Sequence, residues 1–236
     1  MQKLMFSYFG LTICAEIKHP LKVTMKIGLD SISIVPFQTE EWRNEVYPTQ
    51  PAPFIFLNNG RTQCELAEFG LRPIWAKEKK YGTKTYNARS ETVTESPSFK
   101  NAWNKRQFGL ALMENFFEPN GETGKAVRWE IERKDAQPIA VASLWERFVD
   151  RYTGEVVFSF SMLTVNADGH PVMKHFHKPK YEKCSIVLEN SNYLNWLHAY
   201  QGTALSSLRV QVRFSNIITC APTKPNKQFK LRFIKT

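Results

Sequence analysis

Several things are missing from this 236-residue sequence. No apolar run approaches the roughly 20 residues that a membrane helix requires, so nothing in it reads as crossing a bilayer. The four cysteines, Cys14, Cys64, Cys184 and Cys220, lie far apart and form no C-x-x-C pair. That argues against a zinc ribbon and a dense disulfide framework, and a reducing cytoplasm suits them. No Asn-x-Ser/Thr acceptor occurs. The opening Met1-Gln2-Lys3-Leu4-Met5-Phe6 has its apolar stretch broken by Ser7 and Tyr8 and no clear small-residue cleavage site, so it does not read as a secretory signal. No internal repeat and no long Gly/Ser linker divides the chain, which favours a single domain over 1–236. A mean hydropathy of −0.39 implies a soluble chain.

What is present is positive charge. The formal net charge is +10 and the isoelectric point lies near 9.4, a balance that attracts polyanions and speeds encounter with them. The excess concentrates between Arg72 and Arg106, where nine basic residues face three acidic ones. Arg72, Lys77, Lys79, Lys80, Lys84, Arg89, Lys100, Lys105 and Arg106 are interleaved with Trp75, Tyr81, Tyr86, Phe99 and Trp103. Basic groups neutralise phosphates while aromatic faces stack on unpaired bases. The alternative is a solvated face whose rings point into a core. The segment from Pro222 to Thr236 adds five basic residues and no acidic one, either a phosphate contact or a basic tail.

Strand signals dominate the middle of the chain. Phe54–Leu57, Glu68–Trp75, Lys84–Asn87, Phe108–Phe117, Val127–Arg133, Ile139–Glu146, Val156–Asn166 and Cys184–Leu188 are rich in aromatic and β-branched residues. Val127–Glu132 alternates as a half-buried antiparallel strand should, and Asn120–Lys125 reads as a hairpin loop. Tyr47–Pro53 is an extended, Pro-rich lead into a strand. Helices are fewer. Ser96-Pro97-Ser98 followed by Phe99, Ala102 and Trp103 predicts a capped short helix, Asn190–Tyr200 another, with weaker signals at Gln38–Val46 and Leu4–Phe9. The sum is α+β: a curved, mostly antiparallel, barrel-like sheet with peripheral helices.

Three separated segments carry chemistry. Asn87-Ala88-Arg89-Ser90-Glu91-Thr92 offers an amide and a guanidinium, although by itself it could be an ordinary turn whose polar side chains satisfy local backbone. Phe116-Phe117-Glu118 ends an apolar run in a carboxylate. Aromatic walls would desolvate it and suit it to proton transfer, against the common case of a hydrated strand-end glutamate. Phe176-His177-Lys178 supplies an imidazole that titrates near neutral pH. A rival arrangement, a metal site from Asp168, His170, His175 and His177, has no second ligand cluster to support it.

In this order and at these separations the segments resemble the SOS response-associated peptidase (SRAP) family. The likeness is best from about Tyr47 to Leu188. Gly70-Leu71-Arg72-Pro73-Ile74-Trp75 is similar to the family's Trp-Gly-x-x-Pro-x-Trp run, with Phe69 in place of the first Trp. Pro119 stands where a Trp commonly follows the Glu, and Lys178-Pro179-Lys180 where an Arg is frequent, which keeps charge without the bidentate grip. The resemblance implies a protein that binds single-stranded DNA and senses or shields abasic sites through a covalent crosslink in the DNA damage response, with lyase or peptidase activity from the same cleft. It implies catalytic roles for Asn87, Glu118 and His177, with Asn87 orienting the sugar and the other two exchanging protons. Arg89, Arg72 and Lys178 would contact DNA, and Trp75 would stack on a base or else pack in the core. No metal and no organic cofactor is implied. A monomer in the cytoplasm, associated with the nucleoid, is expected.

The family's crosslink needs an α-amine and a thiol on one residue, a cysteine exposed when the initiator Met is removed. This chain begins Met1-Gln2, and Cys14, inside an apolar run, reads as a core residue. Two expectations stay open: a true start upstream, or a relative that binds DNA without crosslinking it.

Overall fold

The computed structural model describes residues 17–18, 23–27, 30–34, 45–120, 127–149, 153–167, 173, 176, 183–188, 190–199 and 218–222. The longest strands build a closed, barrel-like sheet. Its members are β5 (Pro51–Asn58), β6 (Arg61–Phe69), β8 (Phe108–Met113), β11 (Ile139–Val149) and β12 (Val156–Asn166). They follow the order β11-β8-β5-β6-β12, and β12 returns to pair with β11. Only the β6–β12 contact is parallel. Two short strands extend it from β12, namely β7 (Asn87–Arg89) and β13 (Lys183–Ser185).

A second, antiparallel sheet is ordered β14-β10-β9-β1-β4, from β14 (Ile218–Pro222), β10 (Val127–Arg133), β9 (Asn115–Asn120), β1 (Ile17–Lys18) and β4 (Glu45–Val46). A two-stranded hairpin joins β2 (Val23–Ile27) and β3 (Asp30–Ile34). Helices are short: α1 (Lys100–Asn104), α2 (Tyr193–Leu197), and 3-10 turns at Lys79–Lys84 and Asn190–Asn192. The α+β class and barrel-like core follow the sequence expectation. Among the described residues no helix is long and apolar enough to cross a membrane.

The sequence explains the barrel locally. Asn59 and Gly60 take positive φ (50° and 75°), the geometry of a two-residue hairpin turn that Asn-Gly favours, and Asn58 closes the ladder against Arg61. Inside, an aromatic column forms: Phe54 stacks on Phe160 at 4.8 Å, Phe160 on Phe69 at 5.3 Å, and Phe56 meets Trp145 at 4.6 Å. Each such ring is worth about 1.5–3 kcal/mol of burial. Gly109 of β8 lies under the Phe54 ring, whose nearest atom is 2.2 Å from where a Cβ would stand.

Several boundaries differ from expectation. The run Phe108–Phe117 is two strands: after Met113 the chain leaves the barrel, and Asn115 begins β9 in the other sheet. An apolar run does not reveal a change of sheet when both faces are buried on either side of it. Glu68–Trp75 stops as a strand at Phe69, because Gly70 turns to φ 111°. Lys84–Asn87 divides into the end of a 3-10 turn and the start of β7. The Ser96-Pro97-Ser98 cap is not formed by a side chain. The Ser96 carbonyl instead accepts Phe99 N at 3.0 Å and Lys100 N at 2.9 Å, and the helix begins at Lys100. Asn190–Tyr200 holds only the short α2 after a 3-10 turn, and Cys184–Leu188 keeps its strand through Ser185 with an isolated bridge at Val187. The helix expected over Gln38–Val46 ends instead in strand β4, and its earlier part, like Leu4–Phe9 and nearly all of the basic segment after Pro222, lies outside the described residues.

Candidate functional site

β12 organises the polar groups. β7 runs parallel along it, with Asn87 opposite Met162, Ala88 opposite Leu163 and Arg89 opposite Thr164. Backbone bonds extend the pairing, Met162 N to Tyr86 O at 3.0 Å and Ser90 N to Thr164 O at 2.9 Å. Strand alternation turns Ala88 into the core, where it is fully buried, and puts Asn87 and Arg89 on the opposite face. Asn87 is half-buried and Arg89 exposed. The next residues form a turn. Glu91 fastens that turn: its Oε1 accepts Asn166 N at 2.8 Å, and its Oε2 lies 3.5 Å from Arg89 Nε. Both partners of that ion pair are 41–45% exposed, so it holds the guanidinium only lightly, by less than about 1 kcal/mol. The motif's Glu is therefore a clasp between Arg89 and the end of β12. Sequence reading missed that role, although the i, i+2 spacing after a strand end was its available signal.

Glu118 is buried to 1% exposure, deeper than the desolvation expected for it. It stands in β9 directly across from Trp129 of β10, and the Trp129 ring meets Phe176 edge-on at 5.7 Å. Phe116 and Phe117 beside it are buried as well. Pro119 is exposed. Among the described residues β1 pairs with β9 at Asn115 and Phe116. Arg128 lies over the Phe117 ring at 3.4 Å and reaches Glu45 at 3.1 Å.

Electrostatics link Glu118 to β12. The thiol of Cys184 is pushed up to about 12, mainly by burial and further by the Glu118 charge. Cys184 pairs with Val165 and Ser185 with Thr164. Thr164 thus has Arg89 on one side and Ser185 on the other. Glu118 acts on a residue of the strand that flanks β12 opposite the Asn87-Ala88-Arg89 segment.

Between β6 and β7 the chain makes an excursion over residues 70–84. Its neck is tight. Leu71 N donates to Thr85 O at 3.3 Å, Thr85 Oγ1 to Leu71 O at 2.6 Å, and Gly70 lies so close to Gly82 that a Cβ would come within 2.3 Å of the Gly82 carbonyl. β6 and β7 pair with consecutive stretches of β12, at Ser159–Phe160 and Met162–Thr164, which roots the excursion beside Asn87. Trp75 is 53% exposed and Ile74 56%, so Trp75 is not a core aromatic; its ring touches Tyr81 edge-on at 5.0 Å. Lys77, Lys79, Lys80 and Lys84 of the same excursion are exposed, Lys79 paired with Glu68, whereas Phe99 and Trp103 farther along do point into the core. Arg72, expected to contact DNA, is buried instead, with its guanidinium bonded to Lys77 O at 2.9 Å and stacked on Phe148.

His177 and Lys178 lie outside the described residues, as do Asp168, His170 and His175 of the rival metal arrangement. Among the described residues no group of three or more His, Cys, Asp or Glu side chains is placed to hold a metal ion.

The fold defines a class: an α+β barrel in which Asn87 and Arg89 ride on a short strand paired with β12. The SOS response associated peptidase (SRAP) family model matches residues 20–224, and the chain belongs to that family. Over 154 residues it is 25% identical to the abasic site processing protein YoaM of Bacillus subtilis (strain 168), covering 65% of this chain and 64% of that protein. It is likewise 25% identical over 154 residues to the abasic site processing protein YoqW of Bacillus phage SPbeta, covering 65% of each. The alignment therefore spans a little under two thirds of either relative. A crystal structure of a Bordetella bronchiseptica protein is similar in fold, with a TM-score of 0.72 at 24% identity over 89% of this chain and 100% of that one.

Proposed function

We propose that this protein binds single-stranded DNA and acts at abasic sites, the substrate class that the names of YoaM and YoqW carry. The observation that carries the proposal is Glu118: a carboxylate at 1% exposure, across the strand pair from Trp129, whose charge helps raise the Cys184 thiol. A natural protein rarely seals such a group from water without a use for it.

The chemistry suits an abasic sugar. Its ring-closed form must open to an aldehyde, which moves a proton from the anomeric hydroxyl and delivers one to the ring oxygen. Glu118 is the group for that exchange. Asn87 donates and accepts from one amide and orients the sugar hydroxyls. Arg89 takes the flanking phosphate in a bidentate fork. Trp75, exposed on the same excursion as Lys77, Lys79, Lys80 and Lys84, receives an adjacent base on its face. His177 as a second proton carrier and Lys178 as a phosphate contact follow from the family resemblance alone. In a chain beginning Met-Cys, the α-amine would condense with the aldehyde, releasing water, and the thiol would add to the imine carbon to close a thiazolidine.

The test is binding of a labelled single-stranded oligonucleotide with one abasic site across a salt series. Affinity should fall on the order of tenfold or more over a few-fold rise in salt. Absence of binding at low salt, or binding indifferent to salt, would end the proposal.

A further inference from the structure

The nine basic residues between Arg72 and Arg106 do not form one electrostatic set. Eight are exposed and one, Arg72, is not. Its residue exposure is 7%. Nη2 donates to Lys77 O at 2.9 Å, the guanidinium carbon sits 3.7 Å from the centre of the Phe148 ring, and the backbone N–H donates to Ser159 Oγ at 2.8 Å. Nε is buried without a hydrogen-bond partner. These contacts tie three places together: β12 through Ser159, β11 through Phe148, and the excursion itself through Lys77.

A charge in such a position contributes little to the field that DNA meets. It stands five residues before the carbonyl it holds, and between the two lie Ile74 and Trp75, the most exposed large apolar side chains of the described residues. The neck at Leu71–Thr85 fixes where the excursion starts and ends; Arg72 fixes the course of its first half. Arginine suits the task better than lysine, since a flat guanidinium stacks on a ring and donates in its own plane at once.

We propose that Arg72 is a positioning residue: an internal strut that presents Trp75 to single-stranded DNA without itself touching phosphate. The inference rests on the DNA-binding reading above and names the group that organises its base-stacking surface. Ordering Trp75 beforehand removes an entropic cost that binding would otherwise meet. Loss of the strut should therefore weaken binding as loss of the ring does.

The experiment compares the full chain with Arg72→Met, Trp75→Ala and the double variant, measuring single-stranded DNA affinity across a salt series and amide hydrogen exchange over residues 73–85. Trp75→Ala should weaken binding by roughly tenfold, within the range of one base–aromatic stack. Arg72→Met should weaken it by a similar or smaller factor. The double variant should be no weaker than Trp75→Ala, because both act through one contact. The slope of log affinity against log salt should stay at the parent value in Arg72→Met. A slope reduced by about 0.7, the signature of one lost phosphate on a single strand, overturns the proposal, as do additive losses in the double variant. Exchange over 73–85 should quicken in Arg72→Met, and unchanged exchange also overturns it.

Should Arg72→Met fail to fold, Phe148→Leu removes the ring beneath the guanidinium and keeps every charge. It should show the same quickened exchange and unchanged slope, and parent behaviour in both refutes the strut. If the parent chain binds no DNA at all, the functional reading fails while the exchange measurement still decides whether Arg72 braces the excursion.

Discussion

Glu118→Gln separates chemistry from binding in this site. Glutamine has nearly the same shape, so the packing of Glu118 across from Trp129 and between buried neighbours is retained. What is lost is the ability to carry a proton. A positioned general acid–base group contributes roughly 10²–10⁴-fold to rate, equivalent to about 3–5.5 kcal/mol of barrier at 1.36 kcal/mol per tenfold. The assay is the rate of adduct formation with an abasic oligonucleotide, resolved on a denaturing gel, in a version of the chain that begins Met-Cys. Affinity, measured separately, should change little. A second, internal readout comes from Cys184. The Glu118 charge raises its thiol beyond what burial alone does, so in Glu118→Gln the thiol should titrate lower than in the parent. Adduct formation at the parent rate would make Glu118 a structural residue. An unmoved Cys184 titration would place Glu118 too far from β13 for the site drawn here.

Other expectations are more local. Arg89→Ala should lower the salt slope of DNA binding by about 0.7, since Arg89 is exposed and its Nε lies 3.5 Å from Glu91; an unchanged slope removes it from the phosphate path. Alkaline pH should destabilise the fold. Burial raises the Cys184 thiol from 9.0 to about 12 and the Tyr193 phenol from 10.0 to about 12. The unfolded chain therefore sheds these protons first, and the stability they contribute is complete below pH 9 and falls as pH rises toward 12, by up to about 1.4 kcal/mol per pH unit for each group. Urea midpoints across that window check it, with Cys184→Ala expected to flatten the fall. Gly70→Ala should cost more than about 2 kcal/mol, because φ is 111° and the new Cβ would meet the Gly82 carbonyl at 2.3 Å. Gly60→Ala, with φ 75° and nothing within 4 Å, should cost only about 1 kcal/mol, both read as shifts in the urea midpoint.

The strands that alternate or carry dense β-branched and aromatic residues were legible beforehand. Val127–Arg133 and Val156–Asn166 have the ends that local pattern assigned. Patterning could not show that the chain changes sheets between Met113 and Asn115, because Leu112 and Phe116 are equally buried in different surroundings. Nor could it foresee that β7 would lie parallel to a strand far along the chain, a matter of tertiary pairing rather than propensity. The candidate chemistry was legible as residue types, and Glu118 is buried at 1% exposure across from Trp129. Arg72 shows the limit. Its sequence neighbours are exposed lysines, and only the approach of Phe148 and Ser159 turns it inward.

The placement of β12 also bears on when the site comes into being. Ala88 and Thr164, joined in it by a hydrogen bond, are 76 residues apart in sequence. Contacts between such distant residues must overcome a large loop-closure entropy before they return any stability. The β5–β6 hairpin, with its two-residue turn, can form early and locally. The β7–β12–β13 contacts must wait for residues 156–185. On a ribosome that emits the chain from its N-terminus, the Asn87 segment leaves with no strand to lie on. A chain interrupted in the β11–β12 connection would retain much of its hydrophobic sequence yet hold no assembled site.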